Sequence, residues 1–267
     1  MQAAPELSLP CQPRILALLM RELISEVPHM RRVNQLFGCD PVLAAQLMEC
    51  ANSSAYRMAA QVRGIPQALT LLGERQLRAL LKKAQAGMVA RPIAGIDMGQ
   101  FARVSQDCAK LARSLAGRVR LDGSVAYIAG LLHGMGQLVL HQTQTQPERV
   151  AALAAEAGLW DPRRPRVEVR HWGYSAHHTT AILLRAWGLP AEIVAAVQAM
   201  EAPLQDAQFD PMAGVLHLAV WRNRVKVSGW SERSMADAFP VDVALALGID
   251  VDVVLQQEAT DWSQSMY

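Results

Sequence analysis

One short run constrains the chain more than any other: Ala129 to His141, reading A-G-L-L-H-G-M-G-Q-L-V-L-H. Leu131, Leu132, Met135, Leu138 and Val139 recur at helical spacing and predict one helix with a continuous buried face. Gly130, Gly134 and Gly136 each cost such a helix roughly 1 kcal/mol relative to alanine, so something must offset them. The usual offset is close approach, where a missing Cβ lets another backbone or a ligand come near. His133 stands beside this face with little polarity around it, so it is either a hydrogen-bonded core histidine or part of a site.

The remaining composition fits helices throughout. Apolar residues make up 51% of 267, enough for a substantial core, while aromatics are only 5%. Alanine and leucine are abundant and Val/Ile/Thr alternation is scarce, which predicts an all-α fold. A net charge of +2, with cations spread along the chain, creates no field to draw in nucleic acid or an anionic membrane. DNA, RNA and membrane partners are therefore not expected. Cys11, Cys39, Cys50 and Cys108 lack C-x-x-C spacing and read as reduced core thiols of a cytoplasmic protein. Residues 1–10 hold no basic-then-apolar leader, and no run of about 18 apolar residues occurs.

Along the chain, a helix is predicted over Ile15 to Ile24, and another opening at Pro28. Asp40-Pro41 is a helix start, with Asp40 as cap and Pro41 in the first turn. The helix that follows runs into Asn52-Ser53-Ser54-Ala55-Tyr56, a stop-and-turn sequence. Gln67 to Leu72 is a short helix closed by Gly73, and Leu77, Leu80, Leu81, Ala84 and Met88 mark the next. Arg75, Arg78, Lys82 and Lys83 on that helix read as a solvated face. Arg91 to Asp97 breaks the periodicity and is the expected boundary between two helical lobes, residues 1–92 and 93–267. Phe101 to Val119 is a long helix, Asp122-Gly123-Ser124 a turn, and Pro147 to Ala157 a helix ended by Gly158. Further helices start at His177 and lie around Ile193 and Val215, with two short ones beyond Pro240.

Arg163, Arg164, Arg166 and Arg170 fall close together in the most polar stretch. Arginine grips phosphate bidentately, so they form the best local anion candidate, against a solvated loop and helix start as the plainer reading. His171 and the pair His177-His178 could serve as general bases. There is no G-x-S-x-G elbow, no P-loop and no G-x-G-x-x-G after a strand.

Taken in order, the pieces Leu9-Pro10, Asp40-Pro41 with Leu43, Asn52-Ser53-Ser54-Ala55-Tyr56, Ile65 with Ala68, Leu72 and Gly73, Gly130-Leu131-Leu132-His133 with Gly136, and Trp187-Gly188-Leu189-Pro190 resemble the bacterial HDOD family. That family is an all-helical relative of the HD metal-dependent phosphohydrolases. The resemblance implies two helical lobes, the C-terminal one HD-like, and a role in signalling rather than turnover. Domains of that family occur alone or joined to receiver and cyclic-di-GMP-signalling domains; this chain is expected to be a stand-alone copy, partnered by a signalling protein such as a cyclic-di-GMP enzyme or a histidine-kinase pathway component.

Catalytic relatives hold their metal with histidines and a His-Asp pair, because hydrolysis needs several fixed N and O ligands and an open position for water. In the same register this chain has Val104 before Ser105, His133-Gly134 for the pair, Ala176 and Met200-Glu201. One ligand of the set survives in place. The expectation is a degenerate site with no catalytic residue, metal or cofactor. His133, His177, His178 and Glu201 remain as a residual polar site, and a divergent phosphohydrolase metal set drawn from those four is the alternative. A cyclic-dinucleotide sensor gripping phosphates with the four arginines is another. Because adjacent helical residues point about 100° apart, His177 and His178 cannot both face one ion.

Overall fold

The structure is a computed structural model that describes residues 9–56, 61–87, 93–143, 146–205 and 209–256. It is all-α, with no strand among the described residues. The first lobe holds α1 (Pro13–Ile24), α2 (Met30–Gly38), α3 (Pro41–Ala51), a 3-10 turn at Ser54–Tyr56, α4 (Ile65–Leu71) and α5 (Glu74–Gly87). The second begins with α6 (Met98–Arg118), α7 (Gly123–Leu132), α8 (Met135–Thr143), α9 (Pro147–Glu156) and α10 (Arg164–Trp172). It continues with α11 (Ala176–Ala186), α12 (Ala191–Ala199), α13 (Pro211–Val227), α14 (Glu232–Asp237), α15 (Val241–Leu247) and α16 (Val251–Gln256).

Local chemistry sets the helix starts. Asp40 Oδ1 accepts from the amides of Val42 and Leu43, both at 2.9 Å, while Oδ2 accepts from Gln12 N. The cap therefore also ties α3 to the entry of α1. Asp97, Asp122 and Asp210 cap α6, α7 and α13 in the same way. Several starts differ from expectation. α2 opens at Met30, two residues after Pro28. Gly73 does not close α4; its carbonyl accepts from Gln76 and Leu77 and so opens α5. The short helix α14 carries no apolar stripe, having no buried residue to leave one. Met88 and the Arg91-Pro92 part of the expected boundary lie outside the described residues.

The central run is two helices rather than one. α7 ends at Leu132 and α8 starts at Met135, with His133 and Gly134 in a turn between them. Leu131, Leu132, Met135 and Leu138 are buried as the spacing requires, and Val139 is half-buried. The glycines do serve close approach. A Cβ on Gly136 would lie 2.0 Å from Ala176 O and 2.7 Å from Thr180 N, so α8 and α11 touch backbone to backbone. A Cβ on Gly130 would meet the α6 backbone, 2.8 Å from Ala109 Cα. Thr180 Oγ1 accepts from Gly136 N at 2.9 Å and lies 3.0 Å from His133 O, which fastens the turn to α11.

α6 pairs most extensively with α7, then α8 with α11, α13 with α6 and α11 with α12. The main apolar core runs from Leu9 to Val254 and includes Phe37, Leu47, Phe101, Leu131 and Leu216, and a small second cluster gathers Leu153, Ala157 and Val167 with Trp172 against it. Gly123–Thr143 is the only stretch among the described residues with the length and apolarity of a membrane span, and 78% of its window is buried inside the fold.

Polar contacts join the lobes where two of the sequence motifs meet. Asn52 closes a loop on itself: Oδ1 accepts from Val62 N at 2.8 Å and Nδ2 donates to Met48 O and Val62 O. Gln61 Nε2 then donates to Gly188 O at 3.1 Å, and Arg63 Nε pairs with Glu192 at 3.0 Å. The Asn-Ser-Ser turn and the Trp-Gly-Leu-Pro turn are thus two sides of one joint.

Candidate functional site

The positions expected to correspond to an HD site are all interior: Val104 on α6, His133 and Gly134 in the α7–α8 turn, Ala176 opening α11 and Met200 closing α12. His133 is only 3% exposed, and its ring stacks on that of His177 with centroids 6.3 Å apart and planes at 17°. His178 points to solvent, so the pair splits as the helical angle demands.

Hydrogen-bond chemistry fixes the tautomers. A carbonyl can only accept, so His133 Nδ1, 2.7 Å from Gly130 O, carries the proton and Nε2 the lone pair. His217 Nδ1, 2.7 Å from Met200 O, is fixed alike. A guanidinium can only donate, so Arg224 Nη2, 3.1 Å from His177 Nε2, makes that nitrogen an acceptor. The His177 proton therefore sits on Nδ1, which lies against the Glu201 carboxylate. His133, in the α7–α8 turn, and His217, on α13, thus each donate Nδ1–H to a backbone oxygen, while His177, on α11, sets Nδ1 against Glu201 and takes the Arg224 guanidinium on Nε2.

The charges balance internally. Burial raises the Glu201 carboxyl, but His177, Arg224 and His217 outweigh it and bring the pKa down to about 2. Burial, then the neighbouring His177 and Arg224, lowers His133 to about 3, so its ring is neutral at physiological pH. Burial likewise lowers His217. Arg224, buried, and the Glu201 carboxylate bring opposite charges to the site.

These residues do not fit the divalent metal that catalytic HD relatives use. Among the described residues no three His, Cys, Asp or Glu side chains are grouped to hold an ion. His177, the most central donor, has both nitrogens committed, and the buried positive charge of Arg224 opposes a second cation. The cysteines offer no substitute, since burial pushes the Cys11 thiol up to about 12 and raises the other three as well.

Three of the four arginines of the expected anion site are already engaged within the chain. Arg163 grips Asp161 through Nε and Nη2, and Arg170 pairs with Glu156, which also binds His171 Nε2. Arg166 is exposed, on the same face of α10 as Arg163 and Arg170. Arg164 is 1% exposed and fully engaged: Nε on Glu168 at 2.9 Å, Nη1 on Ala157 O at 2.8 Å and Nη2 on His141 Nε2 at 3.2 Å. Glu168 Oε2 in turn accepts from Ala176 N at 2.7 Å. This ion pair therefore props the first turn of α11, the helix that carries His177. On α5, Arg78 is not merely solvated either, since Nε and Nη2 cap the last turn of α1 at Leu23 O.

Sequence reasoning found His133, His177 and Glu201 and missed His217 and Arg224. The available signal was their spacing of seven, two helical turns, which puts both on one face of α13.

Comparison with known structures agrees with this architecture. The response regulator MmoQ from Methylococcus capsulatus str. Bath is 21% identical, with 95% of this chain and 98% of that chain covered at a TM-score of 0.72. A virulence factor from Campylobacter jejuni is 18% identical, with 94% and 93% covered at 0.64. These likenesses speak for the fold. The curated proteins give no match. The family model of the HDOD domain matches residues 9–203, about three quarters of the chain, and the protein belongs to the HDOD family.

Proposed function

We propose that this protein is a non-catalytic signalling module that acts in the cytoplasm by binding a protein partner in a cyclic-di-GMP or two-component pathway. HDOD membership supports the signalling role, and the solved protein named as a response regulator has the same fold over nearly its whole length. The observation that carries the non-catalytic part is the seat of Arg224 on His177. Without an ion no water is acidified, and phosphodiester hydrolysis lacks its nucleophile. A neutral His133 held by Gly130 O is then a packing element of a rigid platform.

Metal analysis of the purified protein, paired with a generic phosphodiester assay, tests this reading. The expected result is no stoichiometric Fe, Mn or Zn and no turnover above background. Bound metal together with turnover that His133→Ala abolishes would replace it with the phosphohydrolase alternative, which the proximity of His133, His177 and Glu201 supports.

A further inference from the structure

The net charge of +2 conceals an imbalance along the chain. Residues 1–92 carry 11 lysines and arginines against 6 acids, a net +5, and residues 93–267 carry 15 against 18, a net −3. Each end of this imbalance holds exposed apolar side chains. In the turn from α1 to α2, Ile24 is 72% and Val27 82% exposed, and Met30 is exposed three residues on. Glu22 fastens that turn, accepting from His29 N at 3.0 Å on Oε1 and pairing with Arg32 at 3.5 Å on Oε2, so the apolar side chains are held out in solvent. Arg78 Nε and Nη2 on Leu23 O set the exposed cationic face of α5, with Arg75 and Lys82, against the same end of α1. Together with Arg21 and Arg32 these cations outnumber Glu22, Glu26 and Glu74. The acidic end is α14 to α16. α14 buries no residue, and α15 turns Val241 and Leu245, one helical turn apart, to solvent, Leu245 at 72%. Glu232, Asp237, Asp242, Asp250 and Asp252 accompany Arg233 as the charged residues of this segment, while Arg222 of α13 is committed to Leu255 O.

Exposed apolar clusters rimmed by charge mark contact surfaces, and opposite rims make these two complementary. Since both are open to solvent in the same chain, neither covers the other, and the complement comes from another molecule. We propose that the α1–α2 turn of one copy docks on α15 of a second copy, seating Ile24 and Val27 against Val241 and Leu245 with the basic and acidic rims opposed. The contact joins two different surfaces, so it either closes as a reciprocal pair or continues as an open row. It goes beyond the signalling reading, whose partner is another protein, and the two fail separately. Metal content and turnover bear on that reading, whereas the state of association decides this one.

The test is sedimentation equilibrium of the full-length protein from about 1 μM to about 1 mM at low salt, a range that reaches weak contacts. The expected result is a mean mass that rises above the 29.2 kDa monomer with concentration and returns toward it in about 0.5 M NaCl, where charge is screened within a few ångströms. Val27→Asp and Leu245→Lys each remove an apolar anchor and set like charge against the opposing rim, and each should weaken association by about 10-fold or more. Both positions are exposed, so folding is spared. An equimolar mixture of the two variants should associate again, because each supplies the surface the other lacks. Native protein that stays monomeric throughout overturns the proposal, as does association that survives either substitution, or a mixture that stays monomeric. Phosphatidylglycerol vesicles that sediment native and Leu245→Lys protein but not Val27→Asp, with no self-association, assign the basic turn to a membrane surface and overturn it too.

Discussion

At the scale of single residues, His133 shows how burial converts a titratable group into a structural one. Its folded pKa of about 3 lies below the free value of 6.5. Between those limits the unfolded chain binds a proton that the folded chain refuses. Stability therefore falls as pH drops through the window and is level above it, by up to about 1.4 kcal/mol per pH unit for each such imidazole. His141 and His217 are lowered too and add to the same slope. His133→Gln removes one proton from the balance, so urea midpoints measured from about pH 6.5 to 5, above the carboxylate range, should fall less steeply than in the native protein. An identical slope in the variant would mean that His133 is protonated in the folded state. The importance of His133 was legible from its apolar surroundings, and that of Gly136 from its cost to a helix. What neither revealed is which groups meet them, because Ala176 and Thr180 arrive from forty residues away.

At the scale of elements, α11 is held at its start by an ion pair that the sequence disguised. A run of arginines between prolines reads as a solvated loop, yet Arg164 and Glu168 are each 1% exposed and bonded through one carboxylate oxygen, while the other oxygen caps Ala176 N. The i,i+4 spacing was visible, but burial was not, since it depends on α8 and α9 closing over the pair with His141 Nε2 and Ala157 O. Breaking a buried pair from one side strands a charge, at about 3–5 kcal/mol, whereas replacing both partners by apolar groups of similar volume is much less costly. Arg164→Met should therefore destabilise by that amount, and Arg164→Met with Glu168→Met should recover much of it in a denaturation cycle, less the contribution of the lost cap. A double variant as unstable as the sum of the two singles would show that the two side chains act independently. The helix inventory itself was largely legible, because aspartate caps and 3.6-residue periods are local. The break at His133-Gly134 was not, since a two-residue turn hardly disturbs the apolar spacing on either side.

At the scale of the whole molecule, two lobes and one dominant core make opposing demands on cooperativity. Residues 93–97 fall at the boundary expected from the sequence, but the apolar cluster passes from Leu9 to Val254 across it, and Gln61, beside Val62, bonds to the Gly188 turn. A shared core couples unfolding of one part to the other. The tryptophans make this measurable, because Trp160, Trp172, Trp187, Trp221, Trp230 and Trp262 all follow the boundary and α1–α5 contain none. Fluorescence thus reports the second lobe alone, while far-ultraviolet circular dichroism reports both. Urea midpoints from the two probes should coincide. The stricter comparison uses Phe37→Ala, which empties a fully buried position in α2 and should cost about 3–5 kcal/mol. If the lobes form one cooperative unit, that change shifts the tryptophan midpoint as far as the dichroism midpoint, although no tryptophan lies in the lobe that was altered. A fluorescence transition left in place, with dichroism splitting into two steps, would instead make the lobes independent units and the Asn52–Gly188 joint a hinge between them.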